Sequence, residues 1–294
     1  MRRLLLVAVM LGAASGAGAA DLSDLPILRG GFSGGQSATP NWDGWYVGGQ
    51  VGYSTANINL SNATQSLTNY TLRNTAIQNT VANFGLFSTR HTQATGFGAF
   101  VGRNYQWDDI VYGVEANYNY INNLSTSAST SMGRRIDNPG GQILPAGHTD
   151  RWDINLAGSA ALQVKDVVTF RGRVGWATGN FLPYVFGGVA VARMSVSRSA
   201  TVTATETDVS YNTDVLGNQT EVDKVLCSSA CAFGSVVEAR PNNFVAGYTG
   251  GLGTEMMLVG NVFARLEWEY IKFLAVKDMT VSMNSFRAGI GYKF

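Results

Sequence analysis

The ten residues Ser285-Phe-Arg-Ala-Gly-Ile-Gly-Tyr-Lys-Phe294 alternate side chains along their whole length and finish on an aromatic. Written as a strand, they put Phe286, Ala288, Ile290, Tyr292 and Phe294 on one face. Ser285, Arg287, Gly289, Gly291 and Lys293 fall on the other. A bilayer demands this arrangement. Lipid requires apolar atoms outside, and backbone polar groups in hydrocarbon must be satisfied by a closed ring with a polar filling.

Seven further segments carry the same signature. The first runs over Trp45, Val47, Gly49, Val51 and Tyr53, alternating with Tyr46, Gly48, Gln50 and Gly52. The second, near 95–107, puts Phe97, Ala99, Val101, Tyr105 and Trp107 outward, with Arg103 interrupting that face. Arg103 must therefore reach the interface, or the strand carries a bulge. The third places Ile110, Tyr112, Val114, Ala116, Tyr118 and Tyr120 opposite Glu115, Asn117 and Asn119. In the fourth, Val168, Phe170, Val174 and Trp176 oppose Arg171 and Arg173. The fifth groups Tyr184, Phe186, Gly188, Ala190 and Ala192 on one face, with Tyr184 assigned to the outward aromatics. The sixth, near 243–258, turns Phe244, Tyr248 and Leu252 outward and Glu255 inward. The seventh sets Ala264, Leu266, Trp268 and Tyr270 against Arg265, Glu267 and Glu269.

The connections sort by length. Asp108-Asp109, Gly179-Asn180 and Gly260-Asn261 mark tight turns, whereas 56–94, 121–164 and 197–242 read as long polar loops and 274–279 as a short one. Tight turns on one side and long loops on the other are the pattern of an outer-membrane barrel. The expected fold is all-β: one eight-stranded antiparallel up-and-down transmembrane β-barrel over residues 42–294, with an even strand count. Aromatics fall into two outward bands separated by Val, Ala, Leu, Ile and Gly, as interfacial girdles do.

The amino end is consistent with export. Arg2-Arg3, the apolar run 4–14 and small residues before Asp21 read as a signal peptide over 1–20. That run is too short for a spanning helix, which needs about 20 apolar residues. Residues 21–41, rich in Gly, Ser and Pro, read as a flexible periplasmic leader. A net charge of +1 gives no basic face for nucleic acid.

The expected lumen charges are Glu115, Arg171, Arg173, Glu255, Arg265, Glu267, Glu269, Arg287 and Lys293, five cationic against four anionic. An eight-stranded barrel is just wide enough for side chains to fill it. A packed ion-pair plug is therefore expected, with a water-filled, charge-lined pore as the alternative. Inward glycines such as Gly48, Gly102, Gly251 and Gly291 leave room for long arginines or for water. Cys227 and Cys231 are the only cysteines, and an exported pair points to a disulfide. His91, near Ser88 and Thr92, and His148, before Thr149 and Asp150, are the only histidines. They could belong to a lipid-modifying triad, but such groupings arise readily in Ser/Thr-rich loops. No enzyme activity, metal or cofactor is expected.

Gly44-Trp-Tyr-Val-Gly-Gly-Gln-Val-Gly-Tyr53, Tyr112-Gly-Val-Glu-Ala-Asn-Tyr118, Arg171-Gly-Arg-Val-Gly-Trp176, Leu182-Pro-Tyr-Val-Phe-Gly-Gly188 and the last strand together resemble the small porin-family outer-membrane proteins of alphaproteobacteria. Members of that group are often called outer membrane immunogenic proteins. The resemblance implies an abundant surface protein with an OmpA-like barrel that supports envelope integrity; the expected partner is outer-membrane lipid and the expected state a monomer, though the sequence itself leaves the oligomeric state open. It also implies a terminal aromatic, here Phe294, read by the barrel-assembly machinery. The alternative role is a small-solute diffusion channel. Some relatives are described as haem-binding, a function for which only His91 and His148 could supply imidazole here. The long first and third loops and the cysteine pair depart from the group's usual pattern, and what those loops bind is left open.

Overall fold

A computed structural model describes residues 40–141, 144–227 and 231–294. The signal peptide and nearly all of the leader lie outside these residues. Among the described residues nine strands follow one another: β1 (Gly44–Asn59), β2 (Thr89–Trp107), β3 (Ile110–Asp137), β4 (His148–Trp176), β5 (Phe181–Thr213), β6 (Gln219–Cys227), β7 (Ala232–Val259), β8 (Val262–Phe273) and β9 (Thr280–Lys293). Two short helices, α1 (Gln65–Thr71) and α2 (Gln78–Ala82), lie between β1 and β2. Eight strands form a ring in the order β4-β3-β2-β1-β9-β8-β7-β5, closed by β4 against β5, with every pairing antiparallel. β6 stands outside the ring and pairs only with the far end of β5.

The tight turns are where the sequence put them. Asp108 and Gly260 adopt positive φ in the β2–β3 and β7–β8 turns, and Gly179 does so between β4 and β5. The strand phases also agree, with one exception. On β5 the inward set is Leu182, Tyr184 and Phe186, all buried, and the outward set is Phe181, Val185 and Val189. Both faces of this strand are apolar, so hydrophobic alternation cannot fix its phase. Pairing does: Phe186 lies opposite Arg173 and Gly188 opposite Arg171. Arg103 does face outward, with no bulge in β2, and its guanidinium stacks over the Trp45 and Tyr105 rings.

Two of the expected long loops are not loops. β3 and β4 continue as a hairpin through residues 121–164, and β5, β6 and the start of β7 occupy most of 197–242. The ring is therefore uneven. β3, β4, β5 and β7 rise as a tall wall, while β1, β2, β8 and β9 end low. At the level where the wall leaves the lipid belt, irregularities break the ladders between Tyr120 and Leu124, between Val164 and Asp166, and between Met194 and Val196.

Above that level the outward face turns polar, while the inward face of β4 turns apolar and that of β5 stays so. On β5 the outward residues change from Val185, Val189 and Val191 to Arg193, Ser195, Ser197, Ser199, Thr201 and Thr203. The inward residues become Met194, Val196, Ala200 and Val202, all buried. β4 does the same, with Ile154, Leu156, Ala160 and Leu162 inside. Below, the wall is built for a lipid exterior. Above, it is built for water outside and an apolar core within.

The segment between β1 and β2 supplies the other half of that core. Leu67 of α1, Val81 of α2 and the neighbouring Leu72, Ile77, Phe84 and Leu86 are buried in one cluster with Ile154, Leu156, Val196 and Val202 of the wall. Neither helix is long enough to be stable alone, so both depend on this packing.

Candidate functional site

The interior has three layers. At the end that carries the tight turns Trp42, Tyr46, Phe100 and Phe263 pack edge to face or tilted, with centroids 6.0–6.5 Å apart. Leu182 and Met257 complete this apolar plug. Glycine makes the room, for rings in this layer and, at Gly52, for the Arg287 side chain, whose Cγ would lie 3.0 Å from an added Cβ. A Cβ on Gly48 would lie 2.2 Å from Phe100 Cζ, and one on Gly291 would lie 2.2 Å from Phe263 Cζ.

The second layer is charged. Glu115, Glu255, Glu267 and Glu269 meet Arg171, Arg173, Arg265 and Arg287, and none of the eight is more than 5% exposed. Arg173 grips Glu255 through both terminal nitrogens, Nη1 to Oε1 at 2.8 Å and Nη2 to Oε2 at 2.7 Å. Arg265 bridges Glu115 (2.7 Å) and Glu255 (Nε, 2.9 Å). Arg171 spans Glu115 and Glu267, each at 2.5 Å. Arg287 pairs with Glu269, which also accepts from Thr249 Oγ1 at 2.8 Å.

Two tyrosines join the network. Tyr46 donates to Glu115 (2.7 Å) and Tyr184 to Glu267 (2.5 Å). Aromatic faces cover the cations: Arg265 sits 3.7 Å from the Phe100 centroid, Arg171 3.9 Å from Phe186 and Arg173 4.0 Å from Tyr184. Charges in so dry a space persist only when paired and hydrogen-bonded.

Lys293 is the exception among the expected lumen charges. Its Nζ donates to the Asp43 carbonyl at 2.9 Å, at the rim that carries the tight turns, and makes no ion pair with the four glutamates. Four cations then face four anions. Sequence reasoning had no means to detach it, since parity alone puts Lys293 inside.

The third layer is the apolar core under the tall wall, and one buried cation pins it. Arg198 on β5 donates to the carbonyls of Ala63 and Lys277, each at 3.0 Å. It also donates to Asp278 at 2.9 Å, Ser66 Oγ at 2.9 Å and Glu238 at 2.7 Å. Lys277 Nζ reaches the other Glu238 oxygen at 2.6 Å. Hydrogen bonds from Lys277 and then Arg198 hold the Glu238 carboxyl down at about 2. Burial pushes the Asp278 carboxyl up, but bonds from Ser66 and Arg198 outweigh it and leave it lowered. One guanidinium thus ties the wall, the segment leading into α1 and the β8–β9 turn together. The reading of 197–242 as a loop hid this residue. Its signal was a lone arginine among the apolar partners Val196, Ala200 and Val202 of a strictly alternating run.

Cys227 and Cys231 are joined by a disulfide part-way up the wall, where Cys227 pairs with Glu206 of β5. A Glu206 oxygen lies within 4.8 Å of both sulfurs. Burial and then the nearby Asp150 raise this carboxyl. Disulfide sulfurs do not bind metal as thiolates do. The two histidines have separate partners: His91 Nδ1 is 2.5 Å from Asn57 Oδ1, and His148 Nδ1 is 2.9 Å from Asp208 Oδ1. Phe294 faces outward against Tyr292, with its backbone N–H bonded to the Trp45 carbonyl at 2.8 Å.

Comparison with known proteins adds the family. Residues 27–294 match the outer membrane protein beta-barrel domain. A 22 kDa outer membrane protein of Rhizobium leguminosarum bv. viciae is 24% identical over 263 residues, covering 86% of this chain and 79% of that protein. A 25 kDa outer-membrane immunogenic protein of Brucella ovis is 24% identical over 197 residues, 67% of this chain and 62% of that protein. Among solved structures, Neisserial surface protein A is 13% identical with a TM-score of 0.33, over 85% of this chain and 97% of that one. Ail of Yersinia pestis is 10% identical with a TM-score of 0.30, over 86% of this chain and 99% of that one. A ring of eight antiparallel strands, apolar outside and charged within, and a family match over nearly the whole chain lead to one conclusion: the protein belongs to the outer-membrane β-barrel family and resides in the bacterial outer membrane.

Proposed function

We propose that the protein is a closed structural barrel of the outer membrane, one that supports the envelope and presents a folded extracellular surface, rather than a channel or an enzyme. The observation that carries this reading is the stack of three packed layers, with eight buried charges compensated in the middle one. A diffusion pathway needs a continuous wet lumen, whereas the aromatic layer and the capped core would each have to open before a solute could pass. We further propose that Phe294 serves as the terminal aromatic read by the assembly machinery, since it is presented on the lipid face beside Tyr292.

Single-channel recording in a planar bilayer tests the reading, using barrel confirmed as folded by heat-modifiable mobility. No steps, or only rare small ones, are expected. Steady openings whose size changes in Arg171→Ala or Glu267→Ala would overturn it and make the charged layer a selectivity filter.

A further inference from the structure

A closed ring has no edges, but the wall that rises above it does. β2 leaves β3 at Gly96, opposite Ile121, so from Leu124 to Asp137 β3 pairs with β4 alone. On the other side of the wall, β7 from Ala232 to Asn243 and then β6 pair with β5 alone. Each edge presents a row of backbone N–H and C=O groups. Among the described residues, one bond reaches the β3 row from outside its own hairpin. It runs from Thr92 Oγ1 to the Ser125 carbonyl, 3.1 Å, at the foot of the row.

The two edges are guarded differently. The β7 stretch carries Glu238, Arg240, Pro241 and a positive-φ residue, Asn242, and Lys277 of the β8–β9 turn lies against Glu238. β6 carries Glu221, Asp223 and Lys224. Charges, prolines and irregularities are the devices that keep a further strand from adding to an edge. The upper end of β2, residues 89–95, is also unpaired towards β3, but it is short and carries Arg90 and His91. β3 has no such guard: from Leu124 to Gly133 it holds no charge, no proline and no positive-φ residue. Its outward side chains there, Ser125, Ser127, Ser129 and Ser131, are small and polar. Its inward Ala128 and Met132 are only partly buried, at the margin of the apolar core. One more strand beside β3 would cover that margin.

We propose that the β3 edge from Leu124 to Gly133 docks an extended segment of a partner protein, which joins the wall as an added strand. Ladder bonds supply the attraction, and side-chain alternation supplies the choice. The segment is uncharged and alternates apolar with small polar residues. Its apolar side chains lie beside Ala128 and Met132, and its polar ones lie beside the serines. A second copy of this chain is the poorer occupant. Two barrels in one membrane, related by a two-fold axis along the normal, lean in opposite directions. Their β3 edges would cross at about 70–90°, twice the usual strand tilt, and could not form a ladder. The proposal deepens the reading of the wall as a presented surface and rests on it. Binding in vitro does not depend on which way the wall faces, so protease digestion of intact cells checks that reading separately.

The probe is a fluorescent peptide with the sequence of residues 154–164, the uncharged, alternating stretch of β4 that already pairs with β3 on its other side. It is titrated into the full folded protein in liposomes and read by anisotropy and by amide exchange. Saturating peptide should slow exchange across 125–133 at least tenfold. Thr130→Lys puts a charge on the inward side of the edge, at an exposed position, and should weaken binding more than tenfold. Val222→Lys, on the exposed β6 edge, should stay within twofold of wild type. Heat-modifiable mobility and unchanged exchange of 60–88 separate a folding failure from a binding failure. Absence of binding would overturn the proposal, as would protection of 219–227 in place of 125–133. So would Thr130→Lys binding within twofold of wild type. Protection of 125–133 without peptide, lost as the protein is diluted in the membrane, would identify a second copy as the occupant and overturn it too.

Discussion

Glu267 and Leu266 are neighbours in sequence and opposites in environment, and the contrast can be measured. Leu266 faces lipid between Ala264 and Trp268, so Leu266→Arg should cost about 2–4 kcal/mol near the bilayer midplane and severely impair insertion. Glu267 takes bonds from Arg171 and Tyr184, and removing its charge leaves four buried arginines facing three carboxylates. Glu267→Gln should therefore insert but lose about 3–5 kcal/mol in urea unfolding. Adding Arg171→Gln restores the charge balance, so the double variant should lose less than the sum of the singles. Strict additivity would mean that the layer acts as independent pairs. The four glutamates and four arginines were legible because each sits at an inward position of a strand with an unambiguous apolar face. Tyr184 was not, because Leu182-Pro-Tyr-Val-Phe186 is apolar on both faces and only the neighbouring strand decides its phase.

At the level of elements, the extended wall makes a prediction that a loop would not. Val202 is fully buried against the cap, and Thr203 beside it faces water. Val202→Asp should strip protection from α1 and α2, since an unpaired carboxylate there is expensive to bury, whereas Thr203→Asp should be neutral. Limited proteolysis of 60–88 would read the difference. Arg198→Met should expose the same segment, raising its amide exchange ~100-fold or more while the barrel band on a gel persists.

The cap also has an acid limit. The Glu238 carboxyl is held below its ordinary value, so its contribution is fully present above the unfolded value of about 4.3. That contribution fades as the pH falls through about 2. Asp278 shifts in the same direction. Protection factors of the cap amides, corrected for the intrinsic pH dependence of exchange, should be flat from pH 7 to 5 and fall steadily below that. A fall already at pH 6 would implicate another group.

The wall was readable in principle. Ser195, Ser197, Ser199, Thr201 and Thr203 alternate with Met194, Val196, Ala200 and Val202 as strictly as any lipid-facing strand does. A search for apolar residues outside passes over this run because the pattern is inverted, and polarity suggested a loop where period 2 indicated a strand. The cap was not readable: helices this short have weak local signals and owe their form to the surface beneath them.

For the whole molecule, the tall wall and the low front make the exterior unequal around its girth. Protease added to intact cells should cut within Asp214–Asn218, the exposed turn joining β5 to β6, and spare 148–164 and 193–205. Reduction of Cys227–Cys231 should leave the heat-modifiable shift unchanged, because that bridge lies on the wall at the level of Glu206, outside the ring pairings of the lipid belt.

The filled lumen also orders events in time. Every residue of the wall and cap has to travel outward across the bilayer, yet the finished interior leaves no passage for a polypeptide. The upper halves of β3, β4, β5 and β7 must therefore cross before the arginines and glutamates lock, as extended chain whose future core is still wet. Closure of the charged layer is then the last step of a one-way delivery, and the seal that completes the barrel also strands its outer half on the far side.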